Sequence, residues 1–97
     1  MEFRLSVGSE TTVGRRDPLT GVDPDVDLSP VDQHRSINRV HAKVYHRGTK
    51  FFVREEIGAS NGTFISDEKL ETGVPAELND GDRLRFGLAK LLFRVNK

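Results

Sequence analysis

Hydrophobic and polar residues alternate with a period of two in several short segments of the chain. Phe3, Leu5 and Val7 are separated by polar residues, and the same alternation recurs in residues 84–86 and 91–95. Successive side chains of a β-strand point to opposite faces, so this period predicts half-buried strands. Apolar residues at helical spacing never continue for three turns, and the four prolines stand where they would interrupt helices.

Turn-forming sequences separate the predicted strands. Arg47–Lys50 has the composition of a hairpin turn, Asn79–Asp82 that of a second turn, and Asp17–Pro24 that of a long loop. Many short strands joined by such turns predict a single all-β domain over residues 1–97, folded as an antiparallel sandwich or barrel. The predicted core consists of the apolar strand residues Phe3, Leu5, Val13, Val26, Leu28, Ala42, Val44, Phe51, Val53, Phe64, Leu78, Leu84, Phe86 and Phe93.

The composition narrows the class of protein. The chain has 97 residues and no cysteine, which describes one small domain without a disulfide framework or a thiolate metal site. No apolar run approaches the roughly 20 residues that span a bilayer, and residues 1–4 lack the features of a signal peptide. We therefore expect a cytoplasmic domain that does not insert into a membrane, although a longer parent chain can still be tethered to one.

Charge is balanced over the whole chain but uneven along it. Lys and Arg together number 15, and so do Asp and Glu. Proteins that bind nucleic-acid backbones usually carry a basic excess, so nucleic acid is not an expected partner. Residues 33–54 contain six basic residues and no acid, whereas residues 55–82 are acidic with Lys69 as the only base. Two interpretations stay open: a solvated strand face beside an acidic neighbour, or a positive end that attracts one anionic ligand.

Hydrogen-bond donors cluster in three of the loop-like segments that interrupt the predicted strands. We call these segments the three breaks, and they are Gly14–Arg15, Asn38–His41 and Ser60–Thr63. An arginine, amides and a hydroxyl gathered at one end of a β-framework form a cradle for an anion. No nucleophile elbow, ordered triad or Walker loop accompanies them. We therefore expect a binding module without catalytic residues. The separations of the three histidines fit no familiar metal motif, so no metal or other cofactor is expected.

The three breaks and two further segments resemble the motifs of the forkhead-associated (FHA) domain family. In chain order the five segments are Gly14–Arg15, Asp27–Leu28, Asn38–Ala42, Ser60–Phe64 and Leu78–Gly87. The resemblance implies a β-sandwich of about eleven strands whose loops at one end bind phosphothreonine peptides. It also implies an adaptor module within a larger protein of phosphorylation-dependent signalling. We expect the isolated domain to be monomeric.

The resemblance also implies a role for each residue of the three breaks. Arg15 contacts the phosphate and the peptide backbone with its planar guanidinium fork. Ser60 takes the place of a hydroxyl that donates to the phosphate, and Asn61 that of a side chain bonded to the peptide main chain. Arg39 adds positive charge within reach of the peptide or phosphate. Four residues support the loops of the site: Gly14, His41, Gly62 and Thr63.

Asn38 departs from the family pattern, which usually has a phosphate-binding serine three residues before the histidine. The Asn38 carboxamide also has donors, but it is longer and presents a carbonyl oxygen that phosphate does not bind. Ser36 faces the same side as Asn38 if this segment is extended. Two functions stay open: phosphothreonine binding with altered geometry at Asn38, or a divergent FHA-like domain with weak or lost phosphate binding that assembles proteins independently of phosphorylation.

Overall fold

The computed structural model describes residues 10–31, 36–59 and 61–94. These residues contain nine strands: β1 (Thr11–Gly14), β2 (Val26–Asp27), β3 (Ala42–Arg47), β4 (Lys50–Glu55), β5 (Thr63–Ile65), β6 (Glu68–Lys69), β7 (Ala76–Leu78), β8 (Arg83–Phe86) and β9 (Ala89–Leu92). One turn of 3-10 helix, Ser29–Val31, follows β2. No helix within the described ranges is long and apolar enough to cross a bilayer. The predicted strand at Phe3–Val7 lies outside the described residues.

The strands form a five-stranded sheet in the order β2-β1-β3-β4-β7 and a four-stranded sheet in the order β6-β5-β8-β9. Neighbouring strands are antiparallel except β1 and β2, which run parallel with Val13 opposite Val26. A parallel pair needs a long connection, and residues 15–25 provide it. The predicted all-β sandwich is confirmed, with nine strands in the described residues where the resemblance implies about eleven for the whole chain.

The core consists of the inward-facing residues of both sheets. Ten of the predicted core residues are buried: Val13, Val26, Leu28, Ala42, Val44, Val53, Leu78, Leu84, Phe86 and Phe93. Phe51 is partly buried and packs against them, while Phe3 and Leu5 lie outside the described residues. Phe64 was predicted to be a core residue, which is wrong. Its neighbour Thr63 takes the buried position of β5, and the ring of Phe64 lies under the Arg85 guanidinium at 3.7 Å.

Glu55 is a carboxylate buried at the end of β4, with 2% of its surface exposed. One carboxylate oxygen accepts a hydrogen bond from the Thr72 hydroxyl at 2.7 Å. The Glu55 backbone carbonyl accepts another from Gly73 N–H at 2.9 Å. The second carboxylate oxygen, Oε2, has no hydrogen-bond partner among the described residues. Glu55 therefore fastens the connection between β6 and β7 to the strand that leads into the loop after β4.

We expect Thr72→Val to destabilise the domain by about 1–3 kcal/mol, because it leaves the buried Glu55 carboxylate without its hydroxyl donor. Thr49→Val is the matched control, since Thr49 is exposed in the turn between β3 and β4. Surface substitutions of this kind change stability by about 0.5 kcal/mol or less. Urea unfolding of the three proteins measures both changes. Equal free energies of unfolding for the two variants would contradict this role of Thr72.

Candidate functional site

Three loops meet at one end of the sandwich: residues 15–25 after β1, residues 36–41 before β3 and residues 56–62 between β4 and β5. The Arg15 N–H joins the first two loops, because it lies 3.1 Å from the Asn38 carbonyl oxygen and 3.3 Å from that of Arg39. The Glu56 N–H of the third loop donates to the His41 carbonyl of the second loop at 3.0 Å. The three breaks that the sequence singles out therefore belong to loops that lie side by side.

Gly14, the last residue of β1, permits the close approach of the first two loops. A Cβ atom built at this position would lie 2.0 Å from the Arg39 carbonyl oxygen and 3.1 Å from that of Asn38. The first distance is far inside van der Waals contact, and both atoms belong to the backbone, which has no alternative rotamer. The absence of a side chain at Gly14 is therefore a packing requirement of the site.

The Arg15 side chain is anchored at one nitrogen. Its Nε–H donates to the Ile37 carbonyl at 3.3 Å, and the residue is half-buried. The two terminal amino groups, Nη1 and Nη2, have no hydrogen-bond partner among the residues that the structure describes. The guanidinium therefore has a fixed base and a planar pair of donors available to a ligand.

Arg39 forms an ion pair with Asp17, in which Nε lies 2.6 Å from Oδ2. Burial alone raises the pKa of the Asp17 carboxyl. Hydrogen bonds from Leu19 N–H and the Thr20 side chain, together with the charges of Arg39 and Arg15, outweigh burial and hold that pKa below its ordinary value. Asp17 was predicted only as part of a turn-rich loop and not as a site residue. Its position two residues after Arg15 is the one feature of the sequence that could have indicated it.

His41 is fully buried and joins the second loop to the third. Its Nε2 lies 2.9 Å from the Gly62 carbonyl oxygen, and its Nδ1 lies 3.3 Å from the Asn38 backbone nitrogen. A carbonyl oxygen can only accept and a backbone N–H can only donate, so these partners require a neutral ring with its hydrogen on Nε2. The ring also meets Phe86 edge to face, with centroids 5.8 Å apart. This contact ties the loops to the core.

Two carboxamides cross between the second and third loops in opposite directions. The Asn38 Nδ2 group donates to the Gly58 carbonyl, and the Asn61 Nδ2 group donates to the Ser36 carbonyl at 2.9 Å. A carboxamide nitrogen carries two hydrogens, so Asn61 can keep this bond and still donate to a ligand. Asn38 is turned toward the neighbouring loop and helps to fix its position.

Ser36 would face the same side as Asn38 in an extended segment, but the structure turns it inward. It is buried, and its hydroxyl accepts a hydrogen bond from the Leu88 N–H at 2.8 Å, which holds it against the turn between β8 and β9. A Cβ atom at Gly87 would lie only 2.5 Å from the Ser36 carbonyl oxygen. The close approach of this turn therefore draws Ser36 inward.

Of the remaining predicted residues in and beside the third loop, the structure describes Gly62 and Thr63 but not Ser60. Gly62 has a φ of +81°, a backbone conformation that favours glycine, and its carbonyl accepts from His41. The Thr63 hydroxyl is fully buried and has no hydrogen-bond partner within the described ranges. Ser60 lies outside the described residues, and its proposed phosphate contact stays a prediction.

Asp27 fixes the backbone that follows Arg15. One of its carboxylate oxygens accepts hydrogen bonds from the Ser29 hydroxyl at 2.6 Å, the Ser29 N–H at 2.9 Å and the Arg16 N–H at 3.2 Å. The Ser29 hydroxyl is the largest cause of the lowered pKa of Asp27. Partial burial raises the pKa of Asp27, whereas the Ser29 and Arg16 backbone N–H groups and the Arg16 charge lower it further. The ionised carboxylate is therefore part of the folded structure.

We expect this carboxylate to make stability depend on pH in acid. The folded pKa of Asp27 lies below its unfolded value of 3.8, so the stabilisation is complete above that value and is lost as pH falls through the folded pKa. The stability difference between the wild type and Asp27→Asn should be largest above about pH 5 and should narrow below about pH 3. Thermal unfolding across this range measures it, with Asp23→Asn, an exposed change in the same loop, as control. A constant difference at all pH values would contradict the assignment.

A comparison with protein families decides the family of this fold and site. The model of the FHA domain matches residues 11–87, which include all three loops and the strands from β1 to β8. The chain belongs to the forkhead-associated (FHA) domain family. The loops described above are therefore the loops of an FHA domain.

Relatives of this FHA domain come from several organisms. Protein FraH of Nostoc sp. strain PCC 7120 is 35% identical over 80% of this chain and 28% of FraH. The FHA domain of CT664 from Chlamydia trachomatis has a TM-score of 0.78 and 26% identity, over 100% of this chain and 86% of that chain. EmbR of Mycobacterium tuberculosis, in complex with a low-affinity phosphopeptide, has a TM-score of 0.69 and 26% identity, over 88% of this chain and 19% of that chain. This chain spans less than a third of the curated relatives it matches.

Proposed function

We propose that this FHA domain binds phosphothreonine-containing peptides and acts as an adaptor in phosphorylation-dependent signalling. FHA domains bind such peptides, and the EmbR relative is known in complex with a phosphopeptide. The observation that carries the proposal is the Arg15 guanidinium, which is anchored through Nε on the Ile37 carbonyl and whose terminal amino groups make no hydrogen bond to a described residue. A phosphate monoester has about −1.5 to −2 charges at pH 7 and three acceptor oxygens, which suit this planar pair of donors.

The neighbouring side chains supply the rest of the proposed site. Arg39, half-exposed and oriented by Asp17, places a second guanidinium at the rim of the loops. Asn61 binds the peptide main chain with the second hydrogen of its Nδ2 group, because the first is donated to the Ser36 carbonyl. The Ser60 hydroxyl donates to the phosphate. Gly14, His41, Gly62 and Thr63 hold the loops in place and do not touch the ligand.

Titration of one peptide in three forms tests the proposal. The peptide carries phosphothreonine, phosphoserine or threonine at the same position. We expect micromolar affinity for the first form, equivalent to about −8 kcal/mol. Burial of the extra methyl group contributes about 0.8 kcal/mol, so phosphoserine should bind a few-fold more weakly from burial alone. Equal affinity for the unphosphorylated form would overturn the proposal.

Asn38 is proposed to act through the loop that carries Ser60 and Asn61, because its carboxamide donates to the Gly58 carbonyl. We expect Asn38→Ala to weaken phosphothreonine-peptide binding about fivefold to tenfold, since it removes one hydrogen bond of about 1 kcal/mol. Asn38→Ser shows whether this position also reaches the phosphate. A serine variant that binds more tightly than the alanine variant indicates direct contact, whereas equal affinities indicate a loop tie alone.

The same comparison addresses the alternative function. The Asn38–Gly58 hydrogen bond turns the carboxamide toward protein, as a divergent FHA-like domain for phosphorylation-independent assembly would allow. That function is supported if neither the wild type nor Asn38→Ser binds any phosphopeptide. Isothermal titration with all three proteins distinguishes the two functions.

The proposal extends to the setting of the domain. We propose that residues 1–97 form one module of a longer cytoplasmic protein, that the isolated module is monomeric, and that it has no enzymatic activity and needs no cofactor. Its balanced charge supports a phosphoprotein partner over nucleic acid, because a nucleic-acid backbone selects for a basic excess.

A further inference from the structure

The solvent-facing side of the four-stranded sheet is rich in cations. The strand register places Phe64 opposite Lys69 on one side and Arg85 on the other. Arg85 in turn lies opposite Lys90, and Arg83 opposite Leu92. Directly opposite residues of antiparallel strands share a face of the sheet. We call this surface the basic face, and it consists of Phe64, Lys69, Arg83, Arg85, Lys90 and Leu92.

The basic face is turned away from the core. The residues that alternate with its members, Leu84, Phe86 and Ala89, are buried between the sheets. The row from Lys69 to Lys90 crosses four strands, which corresponds to roughly 14 Å at the usual strand spacing. This is wide enough for contact with several side chains of a partner.

The four cations of the basic face have no ion-pair partner among the described residues. The outer face of the other sheet is different. There, Lys43 lies 3.6 Å from Glu10 and 3.4 Å from Glu56. Arg54 lies at the same two distances from the same carboxylates. Lys43 and Arg54 of the five-stranded sheet are thus ion-paired, whereas the cations of the basic face are not, in a chain with no net charge. The positive charge of the basic face is therefore a local property that complements an acidic partner.

Apolar surface lies among these cations. The Arg85 guanidinium sits 3.7 Å above the Phe64 ring and is held there by its hydrogen bond to the Gly87 carbonyl at 2.8 Å. Leu92 is 56% exposed. An open depression of about 460 Å³ runs beside it, lined by Arg83, Lys90 and Asp67 among others. The surface thus combines unpaired positive charge with an exposed leucine beside a depression.

We propose that the basic face binds a short extended protein segment whose alternate residues, which share one face, are two carboxylates and an apolar side chain. Arg83 and Arg85 are two residues apart on one strand, a distance of about 6.8 Å that equals the spacing of alternate side chains in an extended peptide. Carboxylates of the segment pair with these cations, and an apolar side chain enters the depression beside Leu92. This interface lies on the face of the sheet and does not require phosphate. It adjoins the third loop at one end, where Phe64 and Lys69 pack beside Gly62.

A long polyanion fits the basic face less well than a short acidic segment. Asp67 lines the depression, and the exposed Glu68 adjoins Lys69 on β6. A nucleic acid or an anionic membrane extends past the cations and meets both carboxylates, whereas the short segment meets only Asp67, where its apolar side chain lies. The zero net charge of the chain also provides no long-range attraction for a polyanion.

A labelled extended peptide of about five residues, with two glutamates and one leucine at alternate positions and serine between them, is the probe for this surface. We expect Arg83→Glu/Lys90→Glu to weaken its binding at least about tenfold, because two attractions become repulsions. The control is Arg47→Glu/Lys50→Glu, the same charge change at the exposed and directly opposite ends of β3 and β4. We expect it to weaken peptide binding about threefold or less. Fluorescence anisotropy measures affinity, and urea unfolding verifies that each variant is folded.

Four results would overturn the proposal: no binding by the wild type up to about 1 mM, equal losses in both variants, equal affinity for a peptide with glutamine in place of glutamate, or tighter binding of single-stranded DNA or anionic vesicles. The phosphothreonine peptide serves as an internal reference. Its affinity should agree within about threefold between the wild type and Arg83→Glu/Lys90→Glu, because only long-range charge differs at the loops. Failure of the basic-face proposal is therefore distinguishable from failure of the phosphopeptide function.

Discussion

Replacing Arg15 with alanine should weaken binding of a phosphothreonine peptide about a hundredfold or more. Hydrogen bonds to a charged group contribute about 1.5–3 kcal/mol each, and the variant removes both terminal amino groups of the anchored guanidinium. Arg15→Lys keeps the charge but loses the planar fork and the Nε bond to Ile37, so we expect an intermediate affinity. The fold should survive all of these changes, because Arg15 is only half-buried.

Arg16→Ala is the matched control for this experiment. Arg16 carries the same charge one residue further along, its side chain is exposed, and its backbone N–H, which the substitution keeps, makes the bond to Asp27. We expect it to weaken binding about threefold or less through long-range charge alone. Similar losses for Arg15→Ala and Arg16→Ala would mean that the peptide senses the net charge of the loop and not a specific contact with Arg15.

Gly14→Ala should destabilise the domain by about 3 kcal/mol and abolish phosphopeptide binding as well. The new methyl group cannot remain 2.0 Å from the Arg39 carbonyl oxygen, so the loop at residues 36–41 must move away from β1. That movement breaks the bonds from the Arg15 N–H to the Asn38 and Arg39 carbonyls. Urea unfolding measures the first effect, and titration with the phosphothreonine peptide measures the second.

Gly48→Ala is the appropriate comparison for Gly14→Ala. Gly48 has a φ of +61° in the turn between β3 and β4, and nothing lies within 4 Å of an added Cβ atom. This substitution should destabilise the domain by about 1 kcal/mol through backbone strain alone and leave peptide affinity unchanged. If Gly14→Ala lowers the free energy of unfolding and the phosphopeptide affinity no more than Gly48→Ala does, the close approach of β1 and the second loop is not a requirement of the site.

Local sequence patterns predicted the parts of the fold that depend on local geometry. The alternation at Ala42 and Val44 and at Leu84 and Phe86 predicted strands, because one face of each strand packs on the core. Burial outside such alternation was not predictable. Ile37 is a single apolar residue between polar neighbours, and it is buried because the loop around it folds against the second sheet.

The candidate site was predictable as a set of loops but not as a network. The motifs at Arg15, Asn38 and Asn61 indicated which segments carry the donors. The ion pair between Asp17 and Arg39 joins residues 22 positions apart, and such a contact has no signature in either local sequence. The bond from Asn38 to the Gly58 carbonyl was missed for the same reason, because any residue can offer a backbone carbonyl.

The most direct test of the proposed phosphate site is the response of its side-chain N–H signals in nitrogen-15 NMR spectra. We predict that a phosphothreonine peptide shifts the Arg15 Nε–H and the Asn61 Nδ2 resonances and the backbone signals of residues 36–41, and that the same peptide without phosphate shifts none of them. Shifts of equal size with both peptides, or shifts confined to the basic face, would contradict binding of the phosphate by Arg15.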